Sequence, residues 1–278
     1  MPKRIRTSTS WRSEDLPPPQ RVEPHTDWRH HKVWARVKDA LYALPTYFHS
    51  ETSISGIPAT DIFTLNAVLG AAIEEQMVRT LNAMRGVWDP EGLYRNYSFV
   101  RQPQNFPDVV LRRHSRKEDE DYIILGVELK GWYLLANEGV PTFRFVTTPA
   151  ACAPADLIAV VPWALSNVIS GTPLVFEPFI ESAAYAARFR NYWWQEVRET
   201  VEPGGINMPA DAKPYPVKAD LVADNPESDK GGNFGRLART GIMDEYIERS
   251  LERDIRGIEA RHWLSFFKKH GAGTKRGT

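Results

Sequence analysis

Three residues in the middle of the chain combine types and spacing that suit chemistry at a phosphate. Asp108 opens an apolar, β-branched run, and Glu128 and Lys130 close the next run, which is the strongest strand pattern in the sequence. Residues two apart on a strand point to the same face, so Glu128 and Lys130 project together. If the two strands pair antiparallel across residues 113–121, Asp108 and Glu128 meet near one end. Two adjacent carboxylates need a cation between them, and Mg²⁺ suits such oxygen donors while keeping several waters.

Lys130 is the third member of this group. An ammonium at the end of an apolar strand is costly unless it serves a charged partner. Beside a water activated by the metal and a phosphate, it can orient the nucleophile, assist its deprotonation or stabilise charge on the phosphorus. The simpler alternative is a surface salt bridge between Glu128 and Lys130, which contributes little.

An upstream segment, residues 60–85, has apolar residues at helical spacing and is predicted to be a helix that ends at Gly86. It carries two adjacent glutamates. At about 100° per residue, Glu74 lies on the flank of the apolar stripe and Glu75 faces solvent. We therefore select Glu74 as a further acidic residue of the site.

The order Gly70-Ala-Ala-Ile-Glu74, then Pro107-Asp108, then Glu128-Leu129-Lys130 resembles the PD-(D/E)xK nuclease superfamily, which includes many type II restriction endonucleases. The resemblance covers residues 60–162, a little over a third of the chain. It implies a restriction-endonuclease-like core and Mg²⁺-dependent hydrolysis of DNA phosphodiesters that leaves 5′-phosphates. Asp108 and Glu128 would bind the metal, Lys130 would position the nucleophile, and Glu74 would complete the acidic site.

A sequence-specific type II restriction endonuclease is the expected role, because most of the chain is left for recognition and dimerisation. One site per chain favours a homodimer on double-stranded DNA, and a cognate methyltransferase is a further expected partner. Two alternatives stay open. One is a structure-specific repair or recombination nuclease, and the other is a catalytically inactive DNA-binding protein with this fold.

Composition sets the wider limits. Thirty-five basic and thirty-five acidic residues give no net charge, so a nucleic-acid surface would have to be local. Cys152 is the single cysteine, which rules out an internal disulfide or cysteine zinc cluster and favours a buried apolar role. No apolar run approaches the roughly 20 residues that cross a bilayer, and a cytoplasmic location is expected.

The pattern along the chain predicts an α/β fold with a central four- to five-stranded mixed sheet, flanked by helices, plus N- and C-terminal helical additions. Residues 1–31 are interpreted as a mobile basic arm, 32–200 as the nuclease core, and 201–278 as a loop-rich and helical extension for recognition or dimerisation. The other predicted helices are residues 33–44, 179–200 and 241–270, the last being a candidate dimer interface. The predicted strands are residues 97–101, 108–112, 122–130, 143–147 and 156–162.

Two segments combine groups that can contact DNA. Arg188, Arg190 and Asn191 adjoin an aromatic cluster, although those aromatics are equally typical of a core helix face. Lys230, Asn233 and Arg236 lie in a glycine-rich stretch that could close over a phosphate backbone. That stretch lacks the lysine–serine ending of a nucleotide-binding loop.

Overall fold

The structure is a computed structural model that describes residues 17–58, 61–102, 104–117, 120–198 and 205–270. Its helices are α1 (His31–Tyr42), α2 (Leu44–Tyr47), α3 (Leu65–Ala83), α4 (Arg85–Trp88), α5 (Ala183–Tyr192), α6 (Asp244–Leu251) and α7 (Ala260–His270). The strands of the main sheet are β1 (Tyr97–Arg101), β2 (Val109–Arg113), β3 (Ile123–Tyr133), β4 (Leu157–Leu165), β5 (Pro173–Val175) and β6 (Phe179–Ser182). Four two-residue strands form two small ribbons, β7 (Ile206–Asn207) with β8 (Asn225–Pro226) and β9 (Asp254–Ile255) with β10 (Ile258–Glu259).

The main sheet is mixed. Strands β1, β2 and β3 pair antiparallel in sequence order, and β4 then pairs parallel to β3. Strands β5 and β6 both pair antiparallel with β4, one along each half of its length, so the sheet is five strands wide. The expected mixed α/β core with a four- to five-stranded mixed sheet is therefore confirmed at that level.

Helix α3 packs against β1 and β3 and supplies much of the core. Its inward residues Leu69, Ile73 and Met77 are buried, as their spacing predicts. Strand β4 is buried at all nine positions, which is typical of a strand covered on both faces. On α1, Trp34 donates a hydrogen bond from Nε1 to Ala155 O, just before β4. The helices thus pack around β3 and β4, which lie at the centre of the fold.

Three predicted elements near the core are wrong in detail. Residues 143–147 do not form a strand, since only Thr147 makes an isolated bridge, to Ala223. The predicted helix 179–200 begins as strand β6, because Phe179–Ser182 pairs with the edge of β4 before α5 starts at Ala183. Residues 199 and 200 lie outside the described part. Gly86 does not stop the long helix, which ends at Ala83, and it lies within α4 instead.

The C-terminal segment, residues 241–270, is two helices and not one. A β9–β10 turn separates α6 from α7, and Gly257 in that turn has a positive φ of 81°. Glu252 forms an ion pair with Arg261, 2.7 Å apart, and not with Arg256, which would follow it by one turn in a continuous helix. Arg256 instead donates from Nε to Ser166 O at 2.9 Å. A tight turn breaks the helical register that the sequence pattern assumed.

The described part of the predicted arm makes contacts with the core. Arg21 pairs with Glu181 at 2.7 Å, and Arg29 pairs with Asp121 at 2.6 Å. Residues 1–16 lie outside the described part. Among the helices that the structure describes, none has both the length and the apolar character to cross a membrane.

Candidate functional site

The ends of β2 and β3 bring the three selected side chains together. Val109 pairs with Val127, so Asp108 and Glu128 follow as neighbours at the same end of the two strands. The Asp108 backbone N–H donates to Glu128 Oε2 at 3.2 Å. Lys130 Nζ lies 2.8 Å from Asp108 Oδ2 and 2.8 Å from Glu128 Oε1. One ammonium therefore joins two carboxylates that come from different strands.

The site opens towards solvent through Asp108. The side chains of Asp108, Lys130 and Glu128 are 34%, 21% and 11% exposed, respectively. Lys130 is not the last residue of its strand as predicted, because β3 continues to Tyr133 alongside β4. Beyond Val127 that edge of β3 has lost its partner β2, and the site occupies this gap.

Close packing of Pro107 on Gly126 positions Asp108. A Cβ at Gly126 would lie 2.1 Å from Pro107 Cγ, so only glycine admits the proline ring at this approach. The Gly126 N–H donates to Asp156 Oδ1 at 2.7 Å, and Ala153 N donates to the other oxygen at 2.7 Å. Asp156 is fully buried and fixes this part of β3 against the start of β4. A glycine inside the strongest strand was the only sequence signal for this packing.

Gln102 secures the same segment from β1. Its backbone N–H donates to Asp108 O at 2.7 Å, and its side-chain Nε2 donates to Pro107 O at 3.1 Å. The first of these bonds extends the β1–β2 ladder by one step, so Asp108 keeps the strand alternation of β2. Nothing in the sequence singles out Gln102 for this position.

Glu74 reaches the unpaired edge of β3 from α3. Its Oε1 accepts a hydrogen bond of 3.3 Å from the Gly131 N–H, next to Lys130. Glu75 is exposed and pairs with Arg79 at 2.6 Å. Helical geometry therefore distinguished the two glutamates correctly: one faces the sheet and the other faces solvent.

The pKa values of Glu128, Glu74 and Lys130 are all raised, each by a different balance of burial and neighbouring charge. Burial raises the pKa of Glu128, and the negative charge of Asp108 adds to the effect, while Lys130 partly offsets it. Burial also raises the pKa of Glu74, against the Gly131 hydrogen bond and the charge of Lys130. Burial opposes the charge on Lys130, but Glu128 and Asp108 outweigh it and raise the pKa of that ammonium. Lys130 is therefore a donor and a positive charge in this state, and does not accept a proton.

The donor set fits a hard divalent cation. Carboxylate oxygens of Asp108 and Glu128 converge on one position, and a cationic group already lies between them. Among the residues that the structure describes, three or more acidic, His or Cys side chains do not gather in a ready metal-binding group. Glu74 binds the β3 backbone, so the convergent set is two carboxylates and the ammonium.

The residues of α5 selected for DNA contact are mostly interior, which corrects that selection. Arg190 is 1% exposed and forms an ion pair with Asp224, which is fully buried. It also donates to the carbonyls of Phe145 and Thr147. Asn191 is 9% exposed and donates to Asp224 at 2.8 Å. These two residues join α5 to the loops beneath it, because a buried guanidinium requires acceptors on several sides. Arg188 is exposed and stays available for contact with DNA.

The glycine-rich stretch lies over the same buried cluster, with Phe234 against the Arg190 guanidinium at 4.7 Å. Lys230 is exposed, Asn233 is half-buried and bonds to Arg239, and Arg236 donates to Gly232 O at 3.3 Å. The structure does not bring these residues to the Asp108 group through any direct contact between described side chains.

A scan against protein-family models finds no match to this chain, and searches of curated proteins and of solved structures find no match either. Function is therefore inferred from the geometry of the site.

Proposed function

We propose that this chain is a Mg²⁺-dependent endonuclease that hydrolyses DNA phosphodiester bonds, and that it is a sequence-specific type II restriction endonuclease leaving 5′-phosphates. The observation that carries the proposal is the convergence of Asp108 and Glu128 on Lys130 Nζ at a partly open strand end. It agrees with the resemblance of these residues to the PD-(D/E)xK pattern. A surface salt bridge explains it less well, because the Glu128 side chain is largely buried and the desolvation of a buried ion pair can exceed its Coulomb attraction.

Each residue has a role that follows from its position. Asp108 and Glu128 would hold Mg²⁺, which when bound neutralises phosphoryl charge and lowers the pKa of a water. Lys130, protonated, donates hydrogen bonds to the attacking water and to a phosphate oxygen, and so orients one against the other. Glu74 holds the free edge of β3 at Gly131, which keeps Lys130 aligned.

Double-stranded DNA is the proposed substrate. One site per chain suits a homodimer that cuts both strands, with the face of α6 and α7 as its candidate interface. A cognate methyltransferase would protect the host sequence. Light scattering of the purified protein tests the homodimer. A monomer at working concentration would contradict it.

The test incubates purified protein with plasmid and phage DNA, with and without Mg²⁺. The wild type is expected to give discrete fragments only with Mg²⁺, and a ligase should reseal their ends without prior phosphorylation. Asp108→Asn and Lys130→Ala should each lose cleavage by about a hundredfold or more, because each removes a group acting on the transition state. Glu74→Ala should also lower cleavage, because it removes the acceptor that holds Gly131 beside Lys130, and Glu75→Ala on the same turn of α3 is its matched control.

The outcomes separate the proposal from its alternatives. Cleavage at DNA junctions or flaps without defined fragments from plasmid indicates a structure-specific nuclease. DNA binding without cleavage under any divalent cation indicates an inactive DNA-binding protein. Cleavage that survives both Asp108→Asn and Lys130→Ala places the active site elsewhere in the chain.

A further inference from the structure

One face of β1 and β2 carries Asp108 at one end and a partly open surface around Arg112 at the other, with Val110 buried between them. Alternation along β2 puts Arg112 on the same face as Asp108, four residues earlier, because the β1–β2 register is unbroken from residue 97 to 113. Ser98 lies opposite Arg112 in that register, and both are partly exposed. At about 3.4 Å per residue, Arg112 is about 14 Å from Asp108 along the strand.

Two guanidinium groups meet over one aromatic ring on this surface. Arg112 Cζ lies 5.9 Å and Arg116 Cζ lies 4.8 Å from the centroid of the Tyr122 ring. Tyr122 immediately precedes β3, whose middle part carries Glu128 and Lys130. His114, between the two arginines in sequence, bonds to Ser98 Oγ at 3.2 Å. The ring holds both cations at one end of the surface.

Among the described residues, these two arginines have no acidic partner, whereas their neighbours do. Arg113, which points to the opposite face, and Lys117 both form ion pairs with Glu120. In the part of the chain that the structure describes, neither Arg112 nor Arg116 pairs with a carboxylate. Two neighbouring positive charges repel each other, and an anion beside them offsets that repulsion. Guanidinium groups bind phosphate well because they offer paired N–H donors.

We propose that this surface, formed by Arg112, Arg116 and Tyr122 and called here the arginine surface, binds the phosphate backbone of the DNA that enters the Asp108 site. The inference rests on the proposed function. A reach of about 14 Å along the duplex axis corresponds to about four base-pair steps, so the two arginines bind phosphates of the flanking duplex and not the scissile one. It also replaces Arg190 and Asn191, whose burial removes them from contact, as the DNA-binding part of the core.

The experiment measures binding of a labelled random-sequence duplex by fluorescence anisotropy, with Ca²⁺ in place of Mg²⁺ to prevent cleavage, over a series of salt concentrations. Loss of two phosphate contacts should reduce the slope of log affinity against log salt by about 1.8, which is about 30-fold in affinity near physiological salt. Arg112→Ala with Arg116→Ala is expected to show this loss, and the double lysine variant is expected to retain most of the binding.

The control is Arg79→Ala with Arg21→Ala. Those two exposed arginines form ion pairs with Glu75 and Glu181 elsewhere on the molecule, so the control has the same change in net charge. It should leave the salt slope unchanged. Equal losses in both double variants, or wild-type binding by Arg112→Ala with Arg116→Ala, overturn the arginine surface while the proposed function stands. A wild type that neither binds nor cuts DNA overturns both.

Discussion

Replacing Lys130 with methionine should strengthen the binding of a divalent cation while abolishing cleavage. Lys130 Nζ lies 2.8 Å from both carboxylate oxygens that a metal would use. A cation bound to those oxygens at about 2.0–2.1 Å needs nearly the same position, so the ammonium has to withdraw. Lys130 is thus an internal competitor for the metal in the substrate-free protein.

The magnitude follows from Coulomb's law. A unit charge about 4 Å from a divalent cation is repelled by about 2 kcal/mol at the dielectric constant of water, and by about 8 kcal/mol at an effective value of about 20. Lys130 is largely buried, so the smaller figure is the lower bound. That bound already corresponds to a roughly 30-fold tighter dissociation constant for Mg²⁺ in Lys130→Met.

Isothermal titration calorimetry with Mg²⁺ or Mn²⁺ measures this effect directly. The titrations should be made above pH 8, because burial raises the pKa of Glu128 and loss of Lys130 raises it further. Lys130→Arg keeps the charge and should bind metal about as weakly as the wild type, and Asp108→Asn should bind it more weakly still. Metal binding by Lys130→Met that is no tighter than the wild type would refute the competition. The absence of metal binding in every variant would refute the metal site itself.

Three further predictions concern the supports of the site. Gly126→Ala should lower the free energy of unfolding, measured in urea, by about 1–3 kcal/mol, because the new Cβ displaces Pro107. It should also reduce cleavage by more than the loss of stability explains. Unchanged stability and cleavage would contradict the packing of Pro107 on Gly126. Burial raises the pKa of Asp156 to about 6 from an ordinary value near 4, so the folded state holds a proton that the unfolded chain releases. The free energy of unfolding should therefore fall by about 3 kcal/mol as pH rises from about 4 to above about 6. Urea titrations at several pH values measure this dependence, and Asp156→Asn should abolish it. Arg190→Met should lower the free energy of unfolding by about 3–5 kcal/mol, because it leaves Asp224 buried without its countercharge. In a variant that is still folded, it should leave the salt slope of DNA binding unchanged. A changed slope would return Arg190 to the DNA surface.

The sequence alone determined the elements that local patterns specify. The alternation and β-branching of β1, β2 and β3 predicted three strands in order, and the spacing of Leu69, Ile73 and Met77 predicted the long helix. The same helical period separated Glu74 from Glu75. Strand alternation also predicted that Glu128 and Lys130 share a face. Each of these follows from a repeat of two or 3.6 residues, which needs no knowledge of distant parts of the chain.

Only the tertiary structure shows where a local sequence pattern is overridden and where it gives no signal. Phe179 to Ser182 pairs with β4 as a strand, although its sequence continues a helical pattern, because the β4 edge offers unpaired backbone groups. Arg190 looks like a DNA contact in sequence and is buried, since Asp224, 34 residues later, supplies its countercharge. The meeting of Asp108 with Lys130 depends on the packing of Pro107 on Gly126. Such contacts join residues far apart in the chain, and the sequence near each one carries no record of its partner.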